Sequence, residues 1–150
     1  MKKKILIILL LLLICCACGV TKNIIRSGKG DLVLEYTSSS AFGNASEKEV
    51  YFIKLYDDKT ISTGYNDTIK NKIDVSDDDY QKIIDYAFSS SFTNLKEDLT
   101  DDRVMDGSSN YITLFFEDGT SKKYGGLNPT NKKFVKLYEM LEGLLEEEEK

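Results

Sequence analysis

The chain has 150 residues, one domain's worth on the usual prior of about 100–200, with 20 basic and 25 acidic side chains, three cysteines, one proline, no histidine and no tryptophan. Lacking histidine, it has no Ser-His-Asp or Cys-His catalytic group and no histidine metal ligand. A net charge of −5 offers no electrostatic footprint for a phosphate backbone, so no nucleic-acid partner is expected.

Met1-Lys2-Lys3-Lys4 is a short cationic head, followed by an apolar run from Ile5 to Cys18 of 14 residues. A membrane-spanning helix needs roughly 20 apolar residues, and polar Thr21-Lys22-Asn23 arrives too soon for that. The head and run have instead the proportions of a secretory leader. At its end, Cys15-Cys16-Ala17-Cys18-Gly19 resembles the lipobox of bacterial lipoproteins, in which a small residue precedes the cysteine that becomes the new N-terminus. That resemblance implies transfer of a diacylglyceryl group to the Cys18 thiol and cleavage between Ala17 and Cys18. Cys15 stands where the family carries leucine or another aliphatic residue. Cys16 follows Cys15 and Cys15 follows Ile14, so neither has the small neighbour that Ala17 gives Cys18.

Cleavage there removes three lysines and leaves 17 basic and 25 acidic residues, a net charge of −8. All three cysteines lie at or before position 18, so the exported part has no disulfide even though its compartment permits one. The resemblance implies a lipid anchor outside the cytoplasm of a bacterium, with membrane lipid as the first partner. Two acyl chains suffice for stable attachment.

Residues 18–30 read as a flexible tether, residues 31–146 as one domain and residues 147–150 as a charged tail. Leu32 to Thr37 has the β-branched and aromatic content of a strand. Val50 to Tyr56 is the next strand, and Thr60 to Tyr65 returns as its hairpin partner across Asp57-Asp58-Lys59. Asp67 to Val75 has no clear pattern, with a short strand over Lys70–Val75 as one reading. Ser76 then caps a helix whose first turn, Asp77-Asp78-Asp79, suits the helix dipole. Its apolar stripe is Tyr80, Ile83, Ile84, Ala87 and Phe88, and the serines at 89–91 end it.

Beyond a long acidic loop, Asn110 to Phe116 is a strand that turns at Glu117-Asp118-Gly119-Thr120 to pair with Ser121–Tyr124. Gly125-Gly126 breaks the sheet, and Asn128 with Pro129 opens a last helix. The predicted fold is α+β: an antiparallel sheet of four or five strands in the order βββαββα, with both amphipathic helices on one face. This layout is similar to small uncharacterised domains carried by bacterial lipoproteins, a likeness that implies no active site.

Candidate chemistry is sparse. Asp98, Asp101, Asp102 and Asp106 offer oxygens for calcium, but the EF-hand register fails, since Val104 and Thr113 occupy the third and twelfth positions counted from Asp102. No metal or other cofactor is therefore expected. A pair of carboxylates 5–10 Å apart is the chemistry of glycan hydrolysis, yet 25 acidic residues make some such pair inevitable. Tyr36, Tyr51, Tyr56, Tyr65, Tyr111 and Tyr124 fall on or beside predicted strands. Tyrosine is large, stiff and half polar, which suits contact surfaces, although cross-strand packing uses the same residues. The resulting expectation is a lipid-anchored, non-catalytic domain that binds an envelope protein or a glycan. The alternatives are a carboxylate-dependent hydrolase and a calcium-stabilised surface module.

Overall fold

Alternating side chains put one set of apolar residues from every strand on a common face, and that face nucleates the domain. The computed structural model describes residues 30–40, 49–103 and 107–146. The leader, most of the tether, Cys18, Asp106 and the tail lie outside them. The fold is α+β, with one antiparallel sheet. Its strands are β1 (Leu32–Ser40), β2 (Val50–Tyr56), β3 (Thr60–Tyr65), β4 (Thr68–Asp74), β5 (Ser108–Phe115) and β6 (Ser121–Leu127). The spatial order is β4-β3-β2-β1-β5-β6. A meander runs outward from one side of β1, and a hairpin lies on the other.

The sheet thus has six strands, not four or five. The added strand is β4, joined to β3 by Asn66 and Asp67, both with positive φ (48° and 64°). Two such residues in succession make the tight turn whose twist matches paired strands, and Asn and Asp tolerate that conformation best among non-glycine residues. Only Ile73 of β4 is buried, so the strand lacks the apolar alternation that marks its neighbours. Lys70 and Lys72 on this outermost strand discourage pairing with another chain.

Helix α1 (Asp77–Ala87) begins as its sequence dictates, with the Ser76 hydroxyl accepting from the Asp79 amide at 3.2 Å. It ends at Phe88. The serine run then starts a second, single-turn helix, α2 (Ser90–Thr93), which Ser89 caps through the Phe92 amide. This turn drives Phe92 fully into the core, edge-on to Tyr124 with ring centres 5.3 Å apart. The last helix, α3 (Lys132–Glu146), is capped by Asn131, whose side-chain oxygen accepts from the Lys133 amide at 3.0 Å. Asn128 is not the cap. It sits at φ 45° and exchanges bonds with the Ser108 backbone at 2.9 and 3.0 Å.

Leu34, Ile53, Leu55, Ile61, Ile112 and Leu114 are fully enclosed on one sheet face, and Ile83, Ala87, Leu137 and Leu141 of α1 and α3 close over them. Each such aliphatic side chain contributes about 1.5–3 kcal/mol on burial. Both α1 and α3 lie on this face, and among the described residues no layer covers the other face of the sheet.

Where the tether meets the domain, the buried Asp57 carboxylate accepts from the amides of Gly30 (2.7 Å) and Asp31 (2.8 Å). The Asp57 amide in turn donates to the Asp31 carbonyl at 2.9 Å. Chain and sheet are therefore joined firmly at the end of β2 that carries Tyr56.

Candidate functional site: a tyrosine cluster at one end of the sheet

The six strand tyrosines do not share a face. Tyr36, Tyr51 and Tyr65 follow the helix-covered side, because Tyr51 lies opposite both Ser38 and Tyr65 in the register. Tyr124 is also on that side but wholly internal, its hydroxyl donating to the Thr93 carbonyl at 3.1 Å. Tyr56 and Tyr111 lie on the open face, opposite Leu32 and Thr37.

At the end of the sheet farthest from Gly30, the structure gathers Tyr36, Tyr51 and Tyr65 with Tyr138 of α3. The rings of Tyr36 and Tyr138 are 4.6 Å apart, and those of Tyr51 and Tyr65 5.3 Å apart. Tyr65 is 43 % exposed, while Tyr36 is 5 % exposed. The cluster therefore grades from core to surface. The Tyr36 hydroxyl donates to Asn110 Oδ1 at 2.9 Å, and Asn110 Nδ2 donates to the Ser108 carbonyl at 3.1 Å. One helical turn along α3, the Tyr138 hydroxyl donates to the Glu142 carboxylate.

Burial raises the pKa of Tyr36, Tyr51 and Tyr138 above the ordinary tyrosine value, and the negative charge of Glu142 adds to all three. For Tyr138 the hydrogen bond to Glu142 is the next largest cause after burial. At neutral pH these hydroxyls are donors and cannot serve as bases. The hydroxyls of Tyr36 and Tyr138 are engaged by Asn110 and Glu142, so what the site offers is the aromatic surface and hydroxyls of Tyr51 and Tyr65, a set suited to stacking and hydrogen bonding.

Tyr138 and Glu142 were not among the residues that the sequence pointed to. Their signal was present in the i, i+4 spacing on a helix, but Tyr138 reads there as one more member of an apolar stripe.

The acidic loop folds onto the β6 edge. Leu99 donates to the Gly125 carbonyl at 2.8 Å, Asp101 to the Leu127 carbonyl at 3.0 Å, and Gly125 to the Glu97 carbonyl at 2.9 Å. The segment forms a parallel bridge between Asp98 and Gly125. Its carboxylates serve the loop itself. Asp98 accepts from the Thr100 amide at 3.0 Å, and Asp101 is gripped by the Arg103 guanidinium at 2.8 and 2.7 Å. Asp102 is exposed. Among the described residues, no three metal-ligating side chains cluster.

Hydrogen bonds from Arg103 hold the Asp101 carboxyl at a pKa of about 2, below the ordinary carboxylate range. A depressed carboxylate stabilises the folded loop above the unfolded pKa and loses that contribution as pH falls through the folded one. The turn at residues 101–103 is expected to loosen between about pH 4 and 2, read as a falling hydrogen-exchange protection factor, corrected for the intrinsic rate at each pH, at the Arg103 amide that donates to Asp101. Arg103→Gln should move the onset toward the upper end of that window.

No helix among the described residues is long and apolar enough to cross a membrane. No protein-family model matches the chain, and none of the curated proteins compared with it matches in sequence.

Proposed function

We propose that the protein is a lipid-anchored binding domain of the bacterial envelope, acylated at Cys18 and facing outside the cytoplasm. Its contact surface is formed by Tyr51 and Tyr65 and backed by Tyr36, Tyr138 and Glu142. The anchor half of the proposal rests on the cationic head, the short apolar run and the Ala17-Cys18-Gly19 sequence.

The binding half is carried by one observation: the large, exposed Tyr65 is paired with Tyr51 over a bonded hydroxyl network, at the end of the strands remote from the tether. Tyr51 lies five steps along β2 from Tyr56, which is beside the tether junction, a span of about 17 Å. This end is therefore presented outward to a glycan or protein of the envelope. The calcium alternative gains no support, because Asp98 and Asp101 already bond within their own loop. The carboxylate hydrolase likewise gains none, since the clustered carboxylate, Glu142, is occupied by a tyrosine hydroxyl.

Two measurements test the proposal. Labelled palmitate supplied to a bacterial host should be incorporated into the wild type and into Cys15→Ala and Cys16→Ala. In Cys18→Ala, label and membrane retention should both be lost. Cross-linking on intact cells should then give an adduct that weakens at least tenfold in Tyr51→Ala/Tyr65→Ala and persists in Tyr111→Ala. Label surviving in Cys18→Ala defeats the anchor, and an adduct unchanged by the paired variant defeats the contact surface.

A further inference from the structure

On the open face of the sheet, β1, β2 and the β3–β4 turn enclose a cleft of about 290 Å³ lined by Glu35, Thr37, Val50, Phe52, Asn66 and Asp67. The strand register builds it, setting Thr37 opposite Phe52 and Glu35 opposite Lys54. Phe52 is 3 % exposed although it points away from the helices, so its ring is the floor of the cleft. Lys54 reaches over that ring, 4.4 Å from its centre.

The polar groups here are only loosely satisfied by one another. The Lys54 side chain is 19 % exposed, and its ammonium stands 3.4 Å from Glu35 and 3.7 Å from Asp67. Both separations exceed the ~2.7–2.9 Å of a direct charged hydrogen bond. Asn66 is pinned to Val50, its amide donating to the Val50 carbonyl and its Oδ1 accepting from the Val50 amide, each at 2.9 Å. Among the described residues, that leaves the Asn66 Nδ2 group and the Thr37 hydroxyl without a hydrogen-bond partner.

These groups set the chemistry of a ligand. Lys54, Asn66 and Thr37 donate, Glu35 and Asp67 accept, and all border one apolar floor. A ring of hydroxyl groups answers that mixture, because each hydroxyl both donates and accepts. Two carboxylates against one cation disfavour an anionic ligand, and the ammonium between them disfavours a bare metal cation. The volume lies at the lower edge of small-molecule sites, room for a sugar ring and not for a folded partner.

We propose that this cleft is a saccharide subsite, in which an uncharged pyranose ring sits over Phe52, inserts its hydroxyls between Lys54, Glu35 and Asp67, and bonds Thr37 and Asn66. The inference rests on reading the end of the sheet farthest from the tether as the contact surface, and narrows that reading to a glycan. Val50 precedes Tyr51 and Asn66 follows Tyr65. The cleft therefore opens one residue from each ring of the exposed pair, on the opposite side of the strands, and an oligosaccharide held in it continues past the Asn66-Asp67 turn toward Tyr65.

The test titrates the protein, purified from a bacterial host in detergent micelles, with two neutral trisaccharides, cellotriose and chitotriose, by calorimetry. At least one should bind, with an affinity that high salt leaves unchanged because the ligand carries no charge. Thr37→Val keeps the branched shape, and Asn66→Asp keeps the acceptor for the Val50 amide. Together they should weaken binding about tenfold at an unchanged melting temperature, while Lys123→Gln, elsewhere on the same face, should bind as the wild type does. Binding of neither trisaccharide, or equal binding by the paired variant, overturns the subsite. So does tighter binding of dialanine, a zwitterion that would set its two ends against Lys54 and the carboxylates. If the cell-surface adduct depends on Tyr51 and Tyr65 while both trisaccharides fail, the contact surface stands and the subsite falls. If a trisaccharide binds in the cleft while the adduct ignores those tyrosines, the subsite stands and the tyrosine surface falls.

Discussion

Gly125→Ala is expected to destabilise the domain by about 4 kcal/mol, combining backbone strain and overpacking that each typically cost 1–3 kcal/mol. A β-carbon at this position would stand 2.0 Å from the Asn110 carbonyl oxygen and 2.8 Å from Tyr111 Cα. Both are backbone atoms of the partner strand, which cannot swing aside as a side-chain tip can. The residue also holds φ at +143°, where side chains other than glycine are strained. Its own amide and carbonyl both bond the 97–101 segment on one side, while on the other side it lies opposite Tyr111 in the register with β5. Relaxing the clash therefore means releasing one partner. The acidic segment is the less firmly held of the two, so the β6 edge should open and invite association between chains. Gly119→Ala is the control. It also has positive φ (+80°), but nothing lies within 4 Å of its would-be β-carbon, and it should cost only about 1–2 kcal/mol. Urea denaturation midpoints of the two variants separate these outcomes. Near-equal losses would show that backbone conformation, and not the neighbouring strand, makes the glycine necessary.

That same position shows where the sequence misleads. Gly125-Gly126 reads as a break before a helix, because glycine lacks strand propensity and a cap-like Asn128 and a proline follow. The structure keeps both glycines inside β6: a side chain at 125 would strike the backbone of β5, and one at 126 would strike the 97–101 stretch. The β-carbon of a residue at 126 would meet Thr100 Oγ1 at 2.2 Å. Such a contact is long-range, so no local pattern announces it. β4 was obscure for the opposite reason: an edge strand exposed on nearly every residue has no apolar alternation to read. Elements set by local chemistry were legible. The Ser76 cap, the Asp118-Gly119 turn and the paired β2–β3 hairpin all stand as their residues imply. Of the candidate site, three tyrosines were visible as strand residues. Their assembly was not, since it depends on strand order and on α3 setting Tyr138 and Glu142 beside Tyr36.

The tyrosine cluster also sets how the domain responds to alkali. Unfolded tyrosine ionises near pH 10, whereas burial and the Glu142 charge keep Tyr36, Tyr51 and Tyr138 protonated beyond that point in the folded state. Above pH 10 the unfolded chain therefore binds fewer protons than the folded one, and stability must fall as pH rises. The contribution is complete below the unfolded pKa and disappears as pH climbs through the raised folded values. The melting temperature should be level on the neutral side of pH 10 and fall steeply beyond it. Absorbance at the tyrosinate band should show one group of residues ionising without loss of structure and a second group ionising only with unfolding. Glu142→Gln separates the causes. It removes the negative charge that raises all three values while leaving an oxygen to accept from Tyr138. The alkaline fall should then become shallower, with little change at neutral pH. A fall of unchanged steepness would mean that burial alone governs these hydroxyls and that Glu142 exerts no force on the surface proposed for binding.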